Sequence, residues 1–244
     1  MRILILALVI PYTVAQFEQF GGQKQCPEFR CRKDETPVPI FPMKLTSAGC
    51  SAIGGGGFSM NGGAIDGEKA ISSCCDLYHS CMQICGSTKS FCDSSFEKCM
   101  DKKCASINNA EEKKQCETAT STKKIMMQMT QCSDFSDGQR KNCECVKNDD
   151  VSEKRSEVVR AFYNKFNPSA ADKADALAAK ANDSKKFAGL LYKLVEKYPK
   201  AIRKVTDPRQ KTLEDMMSDG KFKSRFDTSD EKIDIDDSDE KIEL

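Results

Sequence analysis

Fourteen cysteines, and the point at which they stop, constrain this chain more than any other feature. They are Cys26, Cys31, Cys50, Cys74, Cys75, Cys81, Cys85, Cys92, Cys99, Cys104, Cys116, Cys132, Cys143 and Cys145, and the rest of the 244 residues carries none. Their even number permits complete pairing, and cysteines at this density in an oxidising compartment read as a disulfide framework. The chain therefore divides into two physically different objects. Residues 16–150 are expected to form a disulfide-stapled domain, and the Lys-, Glu- and Ala-rich residues after it must hold themselves by helix packing or not at all.

The compartment follows from the ends of the sequence. Residues 1–15, MRILILALVIPYTVA, place Arg2 before an apolar run and small residues at Thr13 and Ala15. That pattern predicts a signal peptide, and the apolar run is too short to span a bilayer. The closing KIEL is similar to an ER retrieval signal. Together they predict residence in the ER lumen, secretion if the signal goes unread, and a retrieval receptor as a partner. Asn182-Asp183-Ser184 is a usable glycosylation sequon there, at Asn182, whereas Pro168 disqualifies Asn167. The net charge of +1 hides a Lys/Arg-rich stretch over 154–225 and a strongly acidic one over 227–244. A lumenal protein is not expected to meet nucleic acid, so these charges read as solvating or membrane-facing.

Along the chain, residues 16–48 carry Pro27, Pro37, Pro39 and Pro42 and read as extended loop. Gly49–Gly67, GCSAIGGGGFSMNGGAIDG, is a glycine-rich loop that could cradle a ligand or simply connect. Cys74, Tyr78, Cys81 and Cys85 then recur at helical spacing on one face, with Gly86 as a stop. Cys92, Phe96 and Cys99 repeat the spacing, which predicts an antiparallel helix pair bridged by disulfides. A third helix is expected over Ala110 to Gln131, then a closing turn in CSDFSDGQRKNCEC. Beyond it, helical patterning near 153–166 and 169–198 gives a Lys-rich extension over 151–226. Its face of Phe187, Leu190, Leu191, Leu194, Val195 and Tyr198 suits packing on the domain better than lying on a membrane. The tail at 227–244 has the composition of a disordered segment.

The region Cys26–Cys145 resembles the group XII branch of the secretory phospholipases A2. The segments that carry the resemblance are CPEFRC, GC at 49–50, CCDLYHSCMQICGSTKSFCDSSFEKCMDKKC at 74–104, QCE at 115–117, Cys132 and the final CEC. It implies a mainly α, disulfide-rich fold with two antiparallel helices bridged by disulfides. It also implies a glycine-rich loop whose backbone carbonyls, at Gly49, Ser51 and Gly54, hold Ca²⁺ with a carboxylate from the first helix. A histidine just before that carboxylate activates water against the sn-2 ester of a glycerophospholipid, and an aspartate on the facing helix, at Asp93, orients it. Imidazole titrates near neutral pH, and Ca²⁺ wants several oxygens, one of them anionic.

This sequence departs from that pattern where the chemistry sits. Five residues separate Cys75 from Cys81, as the pattern requires, yet Tyr78 stands at the base position and His79 at the calcium-ligand position. One residue on a helix is about 100° of rotation and 1.5 Å of rise, so His79, the only histidine, is turned aside. A phenol is a poor base at neutral pH and imidazole a poor ligand for Ca²⁺. The expectation is a phospholipase scaffold without the usual activity, with weak or absent calcium binding, that binds phospholipid, a membrane surface or a protein partner. Tyr78 is expected to donate to Asp93. Phe58, Met60, Ile71 and Leu77 could accept acyl chains, but for each the expectation is core. Two alternatives stay open: an active calcium-dependent phospholipase, with His79 oriented by Asp76 from a shifted site, and a non-lipid scaffold whose tail carries binding.

Overall fold

A computed structural model of the protein describes residues 26–53, 67–129 and 132–206. The expected signal peptide, Gly54, Phe58, Met60, the acidic tail and KIEL lie outside the described residues. Element order is β1 (Glu35–Pro39), β2 (Thr46–Ser47), α1 (Glu68–Gln83), α2 (Lys89–Ala105), α3 (Ala110–Met129), α4 (Cys132–Asn142), β3 (Cys143–Lys147), α5 (Val151–Phe166), α6 (Ala174–Lys180), α7 (Ser184–Lys197) and β4 (Arg203–Lys204). No helix among the described residues is long and apolar enough to cross a membrane.

The expected helix pair is present. Cys74–Cys99 and Cys81–Cys92 clamp α1 to α2 two turns apart, so neither helix can rotate about its axis. Cys104–Cys116 ties α2 to α3, and Cys26–Cys132 ties the entering chain to α4. No cysteine is left free among the described residues. Thr88 caps α2, its Oγ1 accepting from the Phe91 N–H at 3.1 Å. Asn109 Oδ1 accepts from the N–H groups of Glu111 and Glu112 and starts α3.

Four local expectations are corrected. Residues 16–48 are not all loop: β1 pairs antiparallel with β3, with Pro37 opposite Cys145 and Pro39 opposite Cys143. The two prolines are two residues apart, so both aim their missing N–H at the open edge and no ladder bond is lost. The segment 132–142 is a helix rather than a turn, because Phe135, Gly138, Gln139 and Asn142 make one buried face. Gly138 is needed where α4 crosses the end of α1: a β-carbon there would lie 3.0 Å from the Met82 carbonyl oxygen. Helix α1 ends at Gln83, before Cys85 and Gly86. The long helix expected over 169–198 is broken, with a 3₁₀ turn over Pro168–Lys173, then α6, then a fresh start at α7 capped by Asp183.

Two clusters of buried side chains form the core. One surrounds the disulfides of α1, α2 and α3, with Ile71, Tyr78, Phe96 and Met100 at its centre. The other gathers Phe162, Phe187, Leu191 and Val195 of the extension against Leu45, Leu77 and Ile84 of the disulfide-rich part. Ile71 and Leu77 are thus core residues, and the apolar face of α7 packs inward, as expected. Gly86, with φ of 81°, marks the contact, since a β-carbon on it would lie 2.8 Å from the Ser184 carbonyl oxygen. Gln139 holds the same turn from the other side, donating to the carbonyls of Met82 and Ile84 and to Ser87 Oγ.

Candidate functional site

The disulfides that fix α1 decide what Tyr78 can face. It lies between Cys74 and Cys81 on the clamped side, so its ring enters the α1–α2 interface and is 1% exposed. The ring stacks on Phe96 with centroids 4.7 Å apart. Its hydroxyl donates to Asp93 Oδ1 at 2.9 Å, the contact anticipated from the sequence. The other carboxylate oxygen takes a partner that sequence reasoning missed. Lys89 Nζ, buried one helical turn earlier, pairs with Asp93 Oδ2 at 2.7 Å. The signal was available, because Lys89 and Asp93 are spaced i, i+4 on α2. A phenol, a carboxylate and an ammonium therefore form a closed buried group, every member with a counterpart.

His79 points elsewhere, as the 100° step requires. Its Nε2 lies 2.9 Å from the Gly49 carbonyl oxygen. A carbonyl only accepts, so Nε2 carries the proton in this contact. Gly49 precedes Cys50, whose disulfide to Cys75 holds the loop beside α1. The next carbonyl is also taken from within the protein. Lys123 of α3, 2% exposed, donates Nζ to the Cys50 oxygen at 2.8 Å and pairs with Glu68 Oε1 at 2.7 Å. Ser51 is exposed, and its hydroxyl donates to the Ala48 carbonyl at 3.3 Å.

Asp76, the orienter offered for a shifted His79, has both oxygens engaged with other segments. Oδ1 accepts from Ser47 Oγ at 2.7 Å, and Oδ2 pairs with Lys204 Nζ. It thus ties α1 to β2 and β4, which run parallel beside each other. Asn182 is exposed just before the α7 cap, its Oδ1 accepting from Lys186 Nζ at 3.0 Å.

The arrangement brings Tyr78 and Asp93 together and sets His79 on the glycine-rich loop. Among the described residues, the carboxylate nearest in this network is Glu68, which Lys123 neutralises while also donating to the Cys50 carbonyl. Chemically the α1–α2 interface is a satisfied polar knot inside an apolar cluster, centred on the Tyr78 phenol.

Comparison with known proteins agrees with this construction. The family model described as group XII secretory phospholipase A2 precursor matches residues 6–153, more than half of the chain. The mouse protein named group XIIA secretory phospholipase A2 is 25% identical over 139 residues, covering 55% of this chain and 70% of that protein. Its human counterpart is 24% identical over 139 residues. A mouse protein named group XIIB secretory phospholipase A2-like protein is 27% identical over 143 residues, 72% of its length. No solved structure matches the chain. With fourteen cysteines paired around the two clamped helices and this match across the whole disulfide-rich part, the chain belongs to the group XII secretory phospholipase A2 family.

Proposed function

We propose that this protein is a secretory-pathway phospholipase A2-like protein that has lost ester hydrolysis and uses the scaffold to bind phospholipid. The observation that carries the reading is the pair of contacts at the centre of α1. Tyr78 donates to Asp93, which Lys89 also holds, and His79 donates to the Gly49 carbonyl. The position that needs a base holds a buried phenol, and loss of a general base costs about 10²–10⁴-fold in rate.

Family membership is consistent with calcium use, but the donors among the described residues do not fit the ion. Ca²⁺ takes six to eight oxygens, usually with a carboxylate among them. Here N–H donors meet the Gly49 and Cys50 oxygens, and an imidazole stands at the carboxylate position. The buried Lys123 ammonium supplies positive charge to the loop from the protein itself. No step of a reaction is therefore assigned to the ion.

The test is fatty-acid release from mixed phospholipid vesicles by the purified mature protein, with and without millimolar Ca²⁺. Wild type should release none, while still sedimenting with the vesicles. Calcium-dependent release that disappears in His79→Ala would overturn the reading and make His79 a working base. Vesicle binding that survives deletion of residues 26–145 would instead assign it to the extension alone.

A further inference from the structure

The strongest unassigned feature lies away from the α1–α2 interface, where the extension meets the segment between β1 and β2. A pocket of about 440 Å³ opens there, within the size range of small-molecule sites. Its apolar wall comes from Phe41, Met43, Leu45, Phe162 and Phe166, and its rim from Lys44, Lys165, Lys200 and Arg203. Among the described residues, no acidic side chain lines it. None of the four cations takes part in an ion pair among the described residues, although Asp and Glu are about as frequent in this chain as Lys and Arg. By contrast, the larger groove beside α7 has Glu196 among its lysines.

The pocket is built rather than incidental. The buried Asn142 holds one wall at both ends, its carbonyl accepting from the Ile40 N–H at 2.9 Å and its Oδ1 from the Lys44 N–H at 3.2 Å. The opposite wall is joined to the floor, because the Arg203 N–H donates to the Leu45 carbonyl at 2.9 Å. Phe41 is 37% exposed at the mouth, an apolar surface set among like charges. Four cations with no acidic partner among the described residues, Lys165 lying over the Phe166 ring, repel one another around an aromatic cavity until an anion joins them, and the cavity offers burial to an alkyl chain.

We propose that this pocket binds an anionic single-chain lipid, the acyl chain against Phe162 and Phe166 and the acidic head among Lys44, Lys165, Lys200 and Arg203. The site is distinct from the altered catalytic position and does not depend on whether that position turns over substrate.

Isothermal titration of the full mature chain with oleoyl lysophosphatidate below its micelle concentration tests the proposal. Oleoyl lysophosphatidylcholine and glycerol 3-phosphate serve as the zwitterionic and chainless arms. The acidic lipid should bind, and each control should bind at least about tenfold more weakly, which corresponds to 1.4 kcal/mol. The Lys165→Glu/Arg203→Glu variant and the Phe41→Ser variant should each lose affinity. Lys44→Glu/Lys200→Glu gives a second charge reversal on exposed positions, should the first fail to melt cooperatively. The Tyr78→His/His79→Asp protein should bind as wild type does. Equal binding of the zwitterionic lipid, equal binding of glycerol 3-phosphate, or affinity that survives both charge reversals would overturn the proposal. Absence of esterase activity bears on none of these readouts, so the two readings fail separately.

Discussion

At the scale of single residues, the two oxygens of the buried Asp93 carboxylate take partners of different kinds. Asp93 now lies between a phenol and an ammonium, so its neighbours contribute to stability in unequal amounts. Removing the ammonium leaves a buried charge with one neutral donor, and breaking such a pair typically costs about 3–5 kcal/mol. Lys89→Met should therefore lower the urea midpoint far more than Tyr78→Phe, which removes one hydrogen bond to a charged group, about 1.5–3 kcal/mol. Lys89→Met/Asp93→Leu should recover part of the loss, because neither charge is then left alone; equal midpoints for Lys89→Met and Tyr78→Phe would show that the ammonium does not matter. The glycine-rich loop gives a second prediction at this scale. With N–H donors on the Gly49 and Cys50 oxygens, the melting temperature of wild type should be the same in 10 mM Ca²⁺ and in chelator. The Tyr78→His/His79→Asp variant puts a carboxylate at position 79, beside the Gly49 carbonyl. If it binds the ion with a millimolar dissociation constant, 10 mM Ca²⁺ should stabilise it by about 1.4 kcal/mol. A calcium-dependent shift in wild type would contradict the reading of the donors.

At the scale of elements, legibility tracked how much of each signal was local. Helices α1 and α2 could be read because cysteine spacing reports a face directly, and the Tyr78–Asp93 contact followed once both helices were clamped. Strand β1 could not, since its prolines mask a pairing whose partner lies more than a hundred residues away at Cys143–Lys147. Helix α4 was hidden by its Ser, Asp and Gly content, which favours turns until the burial of Phe135 and Gln139 outweighs it. Lys123 is hidden in the sequence because a buried lysine looks like a solvated one in a charged chain and its partners, Glu68 and the Cys50 carbonyl, are distant; Lys89 has only its i, i+4 spacing to Asp93 to mark it. The break before α7 did carry a readable signal, Asp183 followed by an amphipathic run. Its Oδ1 accepts from the Lys186 N–H at 2.8 Å. That hydrogen bond is the leading cause holding the Asp183 carboxyl below its ordinary 3.8. The cap therefore stabilises α7 fully above that value, and the contribution is lost as pH falls through the lowered folded one. Asp183→Asn, which keeps an acceptor and removes the titration, should flatten the acid limb of α7 amide protection measured by hydrogen exchange. An unchanged acid limb would place the acid sensitivity elsewhere.

At the scale of the whole molecule, one polypeptide is stabilised by two different means. Every disulfide lies within 26–145, and α5, α6 and α7 are held by packing and polar contacts without a crosslink. Crosslinks limit how far the first part can open, because they restrict its unfolded ensemble as well as its folded one. No such restriction acts on the extension, yet its core closes on Leu45, Leu77 and Ile84, so opening it uncovers apolar surface of the disulfide-rich part. The extension should thus open as one cooperative unit below the free energy of global unfolding. Leu191 is fully buried at the middle of that core, and its truncation to alanine should cost about 2–5 kcal/mol. In Leu191→Ala, amides of α5, α6 and α7 should exchange faster by one common factor, with the C-terminal turn of α1 following because Ile84 loses its cover. Protection in α2 and α3, centred on Phe96 and Met100 in the other cluster, should stay at the wild-type level. If α2 and α3 accelerate by the same factor, the two clusters unfold together. The extension would then be part of the disulfide-rich domain's own stability, and its loss would take that domain's fold with it.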